Sequence, residues 1–134
     1  MIDIYNEIYT QLYTRLRADF PDIYVANEYV FTTAQFPCVT VEETDNFTFE
    51  NTQTNRLYEN HSVLVYDVNV YSNLKSGRKS ECRRIINRVD DEMQKMGFTR
   101  IFLNPIPNEQ DSTIYRMTAR YRAVVSNDKT IYRY

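Results

Sequence analysis

Between Ser62 and Gly97 the hydrophobic period changes from two to that of a helix, and this change constrains the fold more than any other feature. Leu64, Tyr66, Val68 and Val70 alternate with Val63, Val65, Asp67, Asn69 and Tyr71. A period of two puts the sets on opposite faces of a half-buried strand. The polar turn Ser72-Asn73-Leu74-Lys75-Ser76-Gly77 follows. Cys82, Ile85, Ile86, Val89, Met93 and Met96 then recur at steps of three and four, as one apolar face of a helix from Ser76 to Met96. Gly97 stands where such a helix takes its C-terminal cap. A strand that feeds an amphipathic helix needs a sheet with the helix laid on it.

The other segments extend this plan. Ile4, Ile8, Leu12, Leu16 and Phe20 recur every four residues from Ile2 to Phe20, widened by Tyr5, Tyr9 and Tyr13, and Pro21 ends the helix. Ile23 to Phe31 and Cys38 to Glu42 predict strands on either side of Phe36-Pro37. Phe98 to Leu103 predicts a short strand, halted by Pro105 and Pro107. Ser112 to Val125 predicts a long one, with Ile114, Arg116, Thr118, Arg120, Arg122 and Val124 on one face. Thr130 to Tyr134 is an edge strand or tail. The expected fold class is α+β: a mostly antiparallel sheet with two amphipathic helices packed on one face. The whole chain, residues 1–134, is expected to be one domain. Residues 44–60 are polar apart from Phe47, Phe49, Leu57 and Tyr58, and fit either a loop or an extended hairpin arm.

No catalytic signature stands out. His61 is the only histidine, which leaves neither a triad nor an imidazole-based metal site. The two glycines, Gly77 and Gly97, are too far apart for a phosphate-binding loop. Asp90 and Asp91 diverge by about 100° on a helix and do not converge on one ion, so Asp90-Asp91-Glu92 is expected to be a solvated face. The expectation is a protein that is not an enzyme, with no cofactor and no metal. Cys38 and Cys82 are expected to be free, buried thiols. No apolar run approaches the roughly 20 residues of a membrane span, and Met1-Ile2-Asp3-Ile4 lacks a basic leader. An intracellular, reducing compartment is expected, and no membrane partner is expected.

The arginines are the candidate contact residues. Arg83, Arg84 and Arg88 crowd the first half of the second helix, where the helix dipole disfavours cations. They are a candidate partner-contact face or a solvated one. Arg116, Arg120 and Arg122 share a strand face, a candidate subunit interface or pore lining. Phe47, Phe49, Arg56 and Tyr58 are candidate contacts on the 44–60 segment. A net charge of −2 gives no general push toward nucleic acid. Twelve tyrosines suit strands and protein interfaces.

Phe36-Pro37-Cys38-Val39-Thr40-Val41-Glu42 resembles an aromatic-Pro-aromatic-Val-x-Ile stretch of the tail terminator (tail completion) proteins of long-tailed bacteriophages. Val65 to Ser72 is similar to that family's long strand ending in an aromatic residue and a serine. The first helix, the helix bearing Glu81, Ile85 and Val89, and the closing strand Tyr115 to Val125 complete the order. Cys38 and Glu42 depart from it, where the family favours an aromatic residue and often a glycine. The resemblance implies a structural virion protein: a ring, usually six-fold, that caps the tail tube and joins it to the head, with DNA passing through without specific binding. Its implied partners are further copies of itself, the tail tube protein and head–neck connectors. A head-completion or neck connector protein of the same particle, or a small nucleic-acid-binding α+β module, stand as alternatives.

Overall fold

The computed structural model describes residues 1–27, 35–49, 60–107 and 111–132. Its elements run α1 (Tyr5–Asp19), β1 (Tyr24–Ala26), β2 (Cys38–Thr48), β3 (His61–Ser72), α2 (Arg78–Lys95), β4 (Thr99–Pro105), β5 (Tyr115–Ser126) and β6 (Ile131–Tyr132). The fold is α+β, with the sheet ordered β1-β2-β3-β5-β4 and β6 pairing with β5. Every pairing is antiparallel except β1 with β2, which is parallel. A parallel pair needs a long connection rather than a tight turn, and residues 27–37 supply one. Since β3 and β4 both run antiparallel to β5, they are parallel to each other, and α2 is the crossover between them.

Both helices cover one face of this sheet. Ile4, Ile8, Leu12 and Leu16 from the α1 region meet Cys82, Ile85, Ile86, Val89 and Met93 of α2 in one core. Leu64, Tyr66, Val68 and Val70 of β3 and Met117, Ala119, Tyr121, Ala123 and Val125 of β5 complete it. These are the sets that share a face by alternation, so the predicted helix and strand faces match the buried ones. Tyr66 sits at the centre, edge-on to Phe98 with ring centroids 5.3 Å apart. Cys38 and Cys82 are free and buried, and burial, helped by Glu81, pushes the Cys82 thiol up to about 12.

Several boundaries differ from those predicted. β1 is three residues long, and residues 28–31 of the predicted strand lie outside the described residues. β2 runs to Thr48, and the Phe49 N–H continues the ladder to the His61 carbonyl at 2.9 Å. Residues 44–49 are therefore one arm of a β2–β3 hairpin, while residues 50–59 lie outside the described residues. The Thr44 bulge between Glu43 and Asp45 swaps the faces of everything after it. β5 begins at Tyr115 rather than Ser112, because Ser112 and Thr113 form a turn in which Asp111 accepts from the Thr113 N–H and hydroxyl.

The end of α2 has the predicted glycine cap. Gly97 takes φ +100°, its N–H reaches the Gln94 carbonyl at 3.0 Å, and the Phe98 N–H reaches that of Met93 at 3.0 Å. This pair of bonds is a Schellman motif. A Cβ on Gly97 would meet Ile131 Cγ2 at 3.0 Å, so the turn out of α2 lies directly against β6.

Candidate assembly surfaces

The register that buries one face of β3 and β5 turns Arg116, Arg120 and Arg122 onto the other face, which carries no helix. They share that face as predicted, and each lies flat against neighbours across the strands. The β3–β5 register places Asp67 opposite Arg120, and the two form a bidentate pair at 2.8 and 3.1 Å. Asp67 raises the pKa of Arg120, whose guanidinium also lies 5.7 Å from the Phe102 ring centroid. Arg116 donates twice to Asn69 Oδ1, at 3.2 and 2.9 Å, and stacks over Tyr71. Thr118 donates to the same oxygen at 2.6 Å. Arg122 is half-buried between Val65 of β3 and Thr99 of β4. Asp67 and Asn69 are thus the residues that position this row. The signal that finds them is strand register, since both lie far from the arginines in sequence.

The triad on α2 is split. Arg83 and Arg84 are exposed, with no carboxylate partner among the described residues. Arg88 instead reaches across to Asp19 at the end of α1 and along its own helix to Glu92 at 2.7 Å. Helical spacing of four residues brings Arg88 over Glu92, and the packing of α1 on α2 adds Asp19. Arg88 is therefore not part of a free helix face.

The acidic run Asp90-Asp91-Glu92 is not a solvated face either. Glu92 is only 3% exposed and also accepts from Gln11 Nε2 of α1 at 3.1 Å. Asp90 accepts from the Tyr121 hydroxyl and from Arg100 Nη1, both at 2.9 Å. Only Asp91 is exposed. Burial disfavours the charged form of Glu92. The bonds from Gln11 and Arg88, with the charges of Arg88 and Lys95, outweigh that and hold its carboxyl below the usual range.

A carboxyl whose folded pKa lies below its unfolded value stabilises the fold above the ordinary value of about 4.3, and that stability is lost as pH falls through the folded value. Glu92→Gln should therefore lower stability near neutrality and flatten its decline in acid. Urea midpoints from about pH 6 to about pH 3 read this directly. Parallel curves for the two proteins would show that Glu92 titrates alike folded and unfolded.

On the hairpin arm, Phe47 is 50% exposed on the helix-free face, in a row with Val63 and Val124 that ends at Tyr132. Phe49 is half-buried. Arg56 and Tyr58 lie outside the described residues. His61, at the start of β3, has its ring 5.9 Å from that of Tyr132. Among the described residues, no group of three or more His, Cys, Asp or Glu side chains is placed to hold a metal ion, and no helix is long and apolar enough to cross a membrane.

The tyrosines divide between two uses. Tyr66 and Tyr121 are fully buried, and their hydroxyls donate to Glu43 and Asp90 at 2.9 Å. Burial first, then those carboxylates, raises both phenol pKa values. Tyr5 and Tyr9 tie α1 to the sheet through the Val41, Asn27 and Val25 carbonyls. Among the described residues, Tyr13, Tyr24 and Tyr132 are the exposed tyrosines, each at least 40% accessible. The tyrosine excess is thus partly a feature of the core and the helix–sheet seam.

No family model matches the chain, and no curated protein does.

Proposed function

We propose that this chain is a structural subunit of a phage tail, copies of which form a ring that caps the tail tube and joins it to the head. The observation that carries this reading is the order of elements: a helix, a short strand, two long antiparallel strands, a crossover helix and the closing strands, with both helices on one side. The resemblance to tail terminator proteins runs in that same order from the first helix to Val125. A ring subunit must show unlike surfaces to its two neighbours. A two-layer body with a helical side and a bare sheet side provides them. A domain of this length has a radius of gyration of about 14 Å, so six in a closed ring leave a hole of roughly 30–40 Å, wide enough for duplex DNA.

The test is reconstitution on tubes polymerised from a tail tube protein. Added protein should arrest elongation and appear by electron microscopy as a ring at one tube end. Tubes that grow on unchanged, with bare ends, would sink the reading. Binding to a head connector but not to the tube would assign the neck role instead.

A further inference from the structure

We propose that neighbouring copies of this chain meet head to tail, the acidic flank of β2 on one against the basic first half of α2 on the next. The proposal rests on the ring reading above and names its contact.

The acidic flank is built by Glu42, Glu43 and Asp45 of β2, with Asp3 at the start of the chain. Glu42 lies directly opposite Asp67 in the β2–β3 register, and like charges so opposed repel. Arg120 neutralises Asp67, which leaves Glu42 uncompensated. Asp45 is exposed, and its carboxylate accepts only from the neighbouring Asn46 N–H. Neither Glu42 nor Asp45 has a cationic partner among the described residues. Beyond Thr40, no described strand pairs with the outer side of β2.

The basic surface is built by Lys75, Lys79, Arg83 and Arg84, all exposed and none paired with a carboxylate among the described residues. Glu81, the acid of the first turn, is engaged by the Ser72 hydroxyl at 2.6 Å. These cations sit where the helix dipole already places positive charge, so they are held against a local preference.

The position of the two surfaces selects the partner. α2 packs over β3, β5 and β4, whereas β2 lies on the far side of β3. The unlike surfaces are therefore separate patches, one along the β2 edge of the sheet and one on α2. Each carries an excess of one sign, with Glu81 the one carboxylate in the first half of α2, so a two-fold contact of either with itself is repulsive. A contact of one with the other is heterologous, the kind that repeats into a ring. Nucleic acid suits the basic surface less well, because the chain is net −2 and the exposed Asp91 follows on the same helix.

The test uses two charge-reversed variants: Glu42→Lys with Asp45→Lys, and Arg83→Glu with Arg84→Glu. Sedimentation at low ionic strength should show self-association of the wild type that salt weakens. Each variant alone should associate at least about tenfold more weakly, with its melting temperature preserved. An equal mixture should recover assembly, since each reversed surface then meets its complement, and the rings should hold even numbers of copies. Wild-type rings that both variants also form would overturn the contact and leave the ring reading standing. So would variants that fail singly and fail equally when mixed. Intact assembly with lost DNA retention in Arg83→Glu, Arg84→Glu would assign the basic surface to nucleic acid and overturn the contact too. A wild type that stays monomeric up to about 1 mM and never seats on tail tubes would overturn both readings.

Discussion

Ile86→Asp should cost about 4 kcal/mol or more of folding stability, a large share of the roughly 5–15 kcal/mol that a single domain has in reserve. Ile86 is 2% exposed and belongs to the single core that both helices share with the sheet. An aspartate there leaves a carboxylate in an apolar site. It must either stay charged without solvent or take up a proton. Ile86→Val separates this effect from simple loss of volume, since a missing methylene costs only about 1 kcal/mol. Urea unfolding of the three proteins at neutral pH decides the point. Equal midpoints for the Asp and Val variants would mean that this side of α2 does not face the core.

Arg88→Met should be the second most damaging change, at about 3 kcal/mol, although Arg88 is a surface-reaching side chain. The cost arises at Glu92, which would stay buried with the Gln11 amide and with Lys95, 3.7 Å away and largely exposed. Removing one partner of a buried ion pair hurts more than removing both, because the remaining charge has lost its solvent and its counter-ion. The double variant Arg88→Met, Glu92→Leu should therefore recover most of the loss. Asp19 adds little to the balance, being 46% exposed and free to hydrate. If the Arg88→Met penalty were the same with and without Glu92→Leu, the clamp between α1 and α2 would not be electrostatic.

The parts of the fold legible in the sequence are those with a periodic signal. The α2 stripe from Cys82 to Met93 and the α1 stripe from Ile4 to Leu16 identify buried faces, because the opposite side of each helix meets water. The alternations in β3 and β5 identify the face that the helices cover, although Val63, Asn69, Tyr71, Thr118 and Val124 on the other face are buried as well. What escaped was set by contacts between distant segments. The Thr44 bulge leaves no mark in composition, yet it reverses the faces of β2. Uninterrupted alternation from Val39 and Val41 would carry Phe47 into the core, whereas it is half-exposed on the opposite face. Glu92 and Asp90 looked solvated because their partners, Gln11, Tyr121 and Arg100, lie on α1, β5 and β4. The shared face of Arg116, Arg120 and Arg122 was legible from β5 alone. That Asp67 already holds Arg120 was not, since it depends on register.

Under the proposed role as a ring subunit, Tyr5 of α1 bears on how long a copy can wait before it is used. A protein made ahead of its assembly partners must remain dissolved at rising concentration, and an unpaired β edge is the feature most apt to recruit the wrong chain. Beyond Thr40 the outer side of β2 has no described strand beside it. The Tyr5 hydroxyl lies within hydrogen-bond reach of the Val41 carbonyl, however, and Asn46 Nδ2 reaches back to the Ile2 carbonyl at 2.9 Å. The Tyr5 hydroxyl thus quiets an edge acceptor that a stray strand would otherwise seek, and the Asn46 bond ties the N-terminal segment to β2, without closing the edge by a further strand. Backbone pairing is indifferent to sequence and hard to reverse, whereas charge contacts respond to salt and to partner identity. Damping the first leaves the second to govern when copies join, which favours storage as separate subunits and late, orderly incorporation.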